Sequence, residues 1–273
     1  MAEGLFDRIA LIQKHATKQD RAIIDCLNKN NHNNLSYLSI TEFASFAGVA
    51  ESTLLRFCKK LGLKGYSEFR MLLAHSMSSE YTGDSDDFAF TILSSMTTAL
   101  QSTYELINHD NIEKAVSLLL SAKRVYCMGS GNSGVAALEM RNKFLRFGIH
   151  IFHVEDNHFQ TIATSTLGPE DVLMLFSVSG STKDMIEIAK KAKQLGIKLI
   201  IMTNYLKSPL GAYADVPLYV VTKNTPLDGG SLIAKVSQLY VIDVLAAAVY
   251  KRTEEISQRN LELTAISVFE KEI

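Results

Sequence analysis

Arg124-Val-Tyr-Cys-Met-Gly-Ser-Gly-Asn-Ser-Gly134 runs from a short apolar strand into a glycine loop, and the next residues, from about Val135 to Phe147, have helical periodicity. The same pattern returns at Asp171-Val-Leu-Met-Leu-Phe-Ser-Val-Ser-Gly-Ser-Thr182, where a continuous apolar run stops at a loop of hydroxyls and a helix follows over Asp184 to Leu195. Ile149 to Val154, Lys198 to Met202 and, more weakly, Pro217 to Val221 add three further strands. Apolar strands spaced by helices of this length predict a parallel sheet covered by helices on both faces, with ligands at the carboxyl ends of its strands.

Upstream of this α/β region the first 80 residues read as short helices, so the chain is two-part: an all-α domain, then the α/β domain. Ser39-Ile-Thr-Glu-Phe-Ala-Ser-Phe-Ala-Gly-Val-Ala-Glu-Ser-Thr-Leu-Leu-Arg-Phe-Cys-Lys-Lys-Leu61 carries the pattern of a helix-turn-helix. Ser39 and Glu42 have capping-box spacing, and Gly48 marks the turn. Leu54, Phe57, Cys58 and Leu61 form a buried stripe on the second helix. The opposite stripe, Ser52, Leu55, Arg56 and Lys59, is where a recognition helix offers side chains to the major groove, with Ser52, Thr53 and Arg56 expected to read bases and Lys59, Lys60, Lys64 and the amides that open the next helix expected to hold phosphates. A small amphipathic bundle with a solvated charged face is the alternative.

Charge agrees with a local nucleic-acid surface only. The 273 residues hold 28 Lys and Arg against 29 Asp and Glu, a formal net charge of −1, whereas residues 1 to 80 hold ten basic against eight acidic side chains. A composition that is 47% hydrophobic and 21% charged excludes a largely disordered or collagen-like chain. The three cysteines, Cys26, Cys58 and Cys127, are far apart in apolar surroundings and are read as small hydrophobes. No leader-like segment and no unbroken apolar run of about 18 residues is seen, so the expected location is cytoplasmic. No cofactor or metal is expected.

Gly129-Ser-Gly-Asn-Ser-Gly134 is a literal G-x-G-x-x-G, so a dinucleotide site has to be weighed. The hydroxyls of Ser130 and Ser133, facing those of Ser177, Ser179, Ser181 and Thr182 across neighbouring strand ends, suit a phosphate monoester better than a pyrophosphate. Helix capping would account for some of these serines. His158, beside Glu155 and Asp156, reads either as a sugar contact at a helix start or as an acid/base group.

Thr53-x-x-Arg56-Phe57 and Lys60-Leu61-Gly62-x-x-Gly65-Tyr66 resemble the helix-turn-helix of the RpiR-type transcriptional regulators, with Ala50 standing where that family usually has Ser. Ala offers no side-chain acceptor, so the start of the second helix is expected to be capped by Ser52 or a neighbour. The two hydroxyl loops, together with Glu155-Asp-Asn-His-Phe-Gln160, resemble a sugar isomerase (SIS) domain, which follows the helix-turn-helix in RpiR-type regulators. The resemblance implies residues 1–78 as the DNA-binding domain, 79–106 as a linker and connecting helix, and 107–273 as a phosphosugar-binding SIS domain. It implies Ser133, Ser177, Ser179 and Thr182 as phosphate contacts, joined by Ser130 and His158. A phosphorylated sugar effector, a palindromic operator and a homodimer or dimer of dimers go with it. The implied function is a sugar-phosphate-responsive regulator that binds its effector without converting it. The alternative is a phosphosugar isomerase with a helical appendage.

Overall fold

The structure, a computed structural model, describes residues 4–13, 16–29, 35–38, 40–78, 87–204, 208–222 and 232–269. The chain divides into two compact units, with the division between Ser94 and Ser95.

The first unit holds α1 (Leu5–Gln13), α2 (Lys18–Lys29), α3 (Ile40–Phe46), α4 (Glu51–Lys60) and α5 (Tyr66–Ser78). The apolar spacing read from the sequence is what buries them: Leu54, Phe57, Cys58 and Leu61 are all inside. Phe69 of α5 meets Phe43 at 5.6 Å and Phe57 at 6.2 Å, both edge to face, which locks α3, α4 and α5 around one aromatic centre. The turn between α3 and α4 is a Schellman ending: Val49 N–H donates to the Ala44 carbonyl at 2.9 Å and Gly48 N–H to Ser45 at 3.2 Å. Gly48 sits at φ +67°, a conformation that a side chain would strain. Ser39, the expected cap of the first of these helices, lies outside the described residues, as do residues 79–86 of the expected linker.

Helix α6 (Phe88–Glu105) spans the division between the units. The second unit continues with α7 (His109–Ser121), β1 (Val125–Gly129), α8 (Asn132–Leu145), β2 (Ile151–His153), α9 (Asn157–Ser165), β3 (Val172–Phe176), α10 (Lys183–Gln194), β4 (Lys198–Thr203), β5 (Val216–Tyr219), α11 (Leu232–Arg252) and α12 (Glu254–Phe269). The sheet is wholly parallel, in the order β2-β1-β3-β4-β5. Strand alternation sends Val125, Cys127, Met174 and Phe176 into a core with α7, α8 and α11. Met128, Leu173, Leu175 and Leu199 go into a second core that α10 covers. All five expected strands are present. Pro217 is tolerated because β5 is an edge strand. Helix α8 starts three residues before the expected Val135, which moves Ser133 and Gly134 out of the loop and into the first helical turn.

Buried ionic and thiol groups serve the fold. Asp171, which directly precedes β3, takes a two-pronged bond from Arg124 at 2.9 and 2.7 Å and a third from Gly168 N–H at 2.8 Å. The Arg124 bond outweighs burial and holds the Asp171 carboxyl below its ordinary value. Burial pushes the Cys127 thiol up to about 12, so it is an inert core group, as read from the sequence.

Candidate functional site

In the first unit, the exposed face of α4 carries Ser52, Leu55, Arg56 and Lys59. Its N-cap is Ala50, which makes no side-chain bond to the helix-start amides, and among the described residues no bond from Ser52 or Glu51 takes the place of the missing serine hydroxyl. Thr53 departs from the expected base-reading role. It is 5% exposed, its hydroxyl lies 3.3 Å from Gln19 Oε1, and it accepts from Arg56 Nη2 at 3.2 Å. Its role is to orient Arg56 from below, because position 53 turns towards α2, whose packing on α4 covers it.

Lys60 departs as well: its ammonium is 2.6 Å from the Asp20 carboxylate, which is almost fully buried. Burial alone would raise the Asp20 carboxyl, but the bonds from Lys60 and Thr17 prevail and hold it below its ordinary value. Lys64 is exposed, and its backbone N–H donates to Glu68 Oε2 at 2.6 Å. A carboxylate therefore occupies the start of α5 that the sequence reading offered to a phosphate.

In the second unit, strand order reverses at β1: β2 lies on one side and β3 on the other. That is the switch point at which open α/β sheets bind ligands. The register pairs Gly129 with Phe176, so Ser130 and Ser177 leave the sheet side by side, about 5 Å apart by strand spacing. Helices α8 and α10 then present their N-termini from the two loops. Gly129 is required by the close approach of strand and helix, since a Cβ there would sit 2.7 Å from the Ser133 backbone.

The hydroxyls are not equivalent. The Ser177 and Thr182 hydroxyls are 3.2 Å apart, Ser177 accepts from Gly180 N–H at 3.2 Å, and Ser179 accepts from Ser181 N–H at 3.2 Å. Thr182 is the N-cap of α10 yet makes no side-chain capping bond, so capping does not account for it. Ser133 is 8% exposed and accepts from Gln238 Nε2 of α11 at 3.3 Å. Ser130 donates to Asn157 Oδ1 at 3.0 Å, and Asn157 donates on to Asp184 at 2.9 Å, a bridge across the starts of α9 and α10.

His158 is exposed on the first turn of α9, its ring edge-on to Phe159, and among the described residues no hydrogen bond joins it to the loops. Its neighbour Asp156 is the N-cap of α9, accepting from Phe159 N–H at 2.9 Å. Sequence reasoning missed Gln160 and Gln238. Gln160 is fully buried and its Nε2 donates to the carbonyls of Gly129 at 3.1 Å and Val154 at 2.8 Å, tying the β1 loop to the end of β2. A glutamine inside helical periodicity gives no local signal for either contact.

Residues 3–80 match the family described as helix-turn-helix domain, rpiR family, and residues 118–248 match the SIS domain family. An uncharacterised HTH-type transcriptional regulator of Clostridium perfringens is 32% identical over 259 residues, covering 91% of this chain and 92% of that protein. Another from Haemophilus influenzae is 30% identical over 284 residues, covering 99% and 98%. Among solved structures, the Vibrio vulnificus NanR protein complexed with ManNAc-6P is similar at a TM-score of 0.80 and 28% identity, covering 97% of this chain and 98% of that one. The sugar isomerase domain of an RpiR transcription factor from Sphaerobacter thermophilus, 21% identical, shares the fold at a TM-score of 0.58 over 65% of this chain.

Proposed function

The chain belongs to the RpiR family of HTH-type transcriptional regulators, and from that membership we propose that it binds an operator through α4 and a phosphorylated sugar through the loops after β1 and β3. The carrying observation is the switch point itself, where two hydroxyl-bearing loops and two helix N-termini converge. A phosphate monoester fits there because its oxygens accept from hydroxyls and amides while the helix ends favour its charge. NanR, the similar protein from Vibrio vulnificus, is complexed with a ligand of this class.

Thr182, Ser177, Ser179 and Ser133 are the phosphate-facing groups in this reading, with His158 and Ser130 on the sugar side. The domains are 1–78 for DNA, 79–106 for the connection and 107–273 for the effector, in the cytoplasm. On the DNA side, Ser52 and Arg56 address bases, and Lys59 and Lys64 address phosphates. Thr53 and Lys60 support the helix.

In this reading the effector is bound and not converted: Asp156 caps α9, and among the described residues no hydrogen bond joins His158 to a carboxylate that would orient it for proton transfer. Self-association is the third part of the proposal. Ile256, Leu263, Ile266 and Phe269 of α12 are more than half exposed, an apolar row that suits a second copy, and a two-fold dimer matches a palindromic operator.

Calorimetry with ManNAc-6P and with inorganic phosphate tests the effector site, since a ligand at 100 times its dissociation constant also adds about 2.7 kcal/mol of stability to a thermal melt. Binding that survives unchanged in a Ser179→Ala/Thr182→Ala protein would place the phosphate elsewhere. Isomer interconversion seen by NMR at enzyme-like turnover would make the protein an isomerase.

A further inference from the structure

Two neighbouring side chains on α11, Ser237 and Gln238, are both fully buried and face different partners. Gln238 Nε2 donates to Ser133 Oγ at 3.3 Å. A hydroxyl has two lone pairs and one hydrogen. With one lone pair taken by Gln238, the Ser133 hydrogen is left for an acceptor, and an anionic phosphate oxygen is the strongest acceptor the proposed effector brings. Gln238 Oε1 is buried with no partner among the described residues, so the amide is held on its donor side alone. Its orientation therefore follows what Ser133 does.

Ser237 turns the other way. Its hydroxyl donates to the Val221 carbonyl at 2.7 Å, and Val221 N–H donates to Thr103 Oγ1 of α6 at 2.9 Å. Thr103, also fully buried, passes its own hydrogen to the Ala99 carbonyl one turn back along α6 at 2.7 Å. Val221 follows β5 in irregular backbone, and both of its polar groups are satisfied by side chains of the two helices beside it. Buried bonds of this kind have no water to fall back on, so a displacement at one end must be answered along the row.

We propose that Ser237 and Gln238 are positioning residues that tie the effector loop at Ser133 to α6 through Val221 and Thr103, so that a filled loop is felt by the helix in which the chain passes between its two units. This rests on the effector site proposed above. The direction of the change in α6 is set by how α11 shifts when Ser133 turns its hydrogen to the ligand. A change is expected because the two sets of buried bonds share the α11 backbone at residues 237 and 238.

Hydrogen exchange of the full chain, with ManNAc-6P and inorganic phosphate as the probes and calorimetry in parallel, separates the two claims. In the wild type, a bound probe alters exchange over residues 95–105 by about threefold or more. Thr103→Val and Ser237→Ala bind the probe as the wild type does, yet lose the change in α6, and Thr103→Ser restores it. Gln238→Leu weakens probe binding about tenfold by freeing the Ser133 hydroxyl to turn away. Unaltered α6 exchange in the probe-bound wild type, or a wild-type-sized change in both Thr103→Val and Ser237→Ala, overturns the connection and leaves the effector site standing. Failure of both probes to bind the wild type overturns the effector site and the connection with it. Where Thr103→Val is too unstable to assay, the Thr103→Ser and Ser237→Ala pair decides.

Discussion

The Lys60 ammonium lies 2.6 Å from the Asp20 carboxylate, joining the last turn of α4 to the first turn of α2. Asp20 accepts from the Thr17 amide at 2.8 Å and from its hydroxyl at 2.7 Å, while Thr17 Oγ1 accepts from the Asp20 amide at 3.2 Å. This acidic form of a capping box is anchored on a lysine 40 residues away. A cation so engaged reaches a DNA phosphate only by giving up its ion pair with the buried Asp20 carboxylate.

DNA binding should therefore distinguish two adjacent lysines. Lys59→Ala is expected to lower the slope of log affinity against log salt by about 0.9, the loss of one phosphate contact, whereas Lys60→Ala leaves the slope unchanged. Lys60→Ala should instead destabilise the first unit, and Asp20→Ala should do so by about 1 to 2 kcal/mol through the lost cap. Equal slope changes for the two lysines, in filter or anisotropy titrations across a salt series, would contradict the assignment.

Arg56 carries the base-reading expectation. Its guanidinium is held from beneath by the Thr53 hydroxyl at 3.2 Å, which limits its swing without covering its exposed end. Arg56→Ala should cost about 1 to 3 kcal/mol at the operator and flatten base preference at one position of each half-site. Thr53→Val should give a milder loss of the same kind. A uniform loss over all sequences, read by competition against base-substituted operators, would move Arg56 to the phosphate backbone.

Much of this was legible in advance, and what was not shares one physical character. The strands, the buried face of α4 and the turn at Gly48 follow from periodicity and backbone preference, which are local. Thr53, Lys60, Gln160 and Gln238 carry partners that the local sequence does not announce, because those partners are set by the packing of distant elements. Ser133 and Gln238 are 105 residues apart, and nothing near either position encodes the other. The start of α8 lies three residues before the expected Val135 because Gly131, at φ +57°, lets the chain enter the helix inside what reads as a glycine loop.

Acid should probe the second unit through Asp171. Its folded carboxyl lies below the ordinary value of 3.8, held there first by the Arg124 bond, so its contribution is complete above pH 3.8 and fades as pH falls through the folded value. The melting temperature of the wild type should fall below about pH 4. Asp171→Asn should start lower at neutral pH, on the order of 5 °C, and lose less on acidification. Parallel acid curves for the two proteins, by calorimetric melting, would mean that other carboxylates govern the transition.

The phosphate-facing hydroxyls should be unequal in effect. Thr182 makes no capping bond but shares a hydrogen bond with Ser177, so Thr182→Val should cost roughly 1.5 to 3 kcal/mol of sugar-phosphate affinity with a smaller loss of melting temperature than Ser177→Ala. Ser177 is 3% exposed and holds Gly180 N–H, so Ser177→Ala should lose both affinity and stability. The comparison is made by calorimetry with ManNAc-6P alongside melts of the free proteins. Full affinity in Thr182→Val would remove that hydroxyl from the site.

Coupling between effector and operator is the remaining expectation, and it is bounded by reciprocity. If the effector changes operator affinity tenfold, the operator must change effector affinity tenfold, a coupling of about 1.4 kcal/mol in either direction. In the proposed dimer a palindromic operator would be read by two α4 helices at a half-site spacing of about 34 Å, so a change transmitted along α6 is expected to alter affinity by moving them off that spacing or onto it. The row from Ser133 through Gln238, Ser237 and Val221 to Thr103 supplies the physical link. Thr103→Val should therefore shrink the coupling towards zero while leaving effector affinity in the absence of DNA unchanged. The decisive measurement is the effector dissociation constant with and without saturating operator, in the wild type and in Thr103→Val. A tenfold difference that persists in the variant would route the signal outside this row, and equal constants in the wild type would mean that effector and operator act independently.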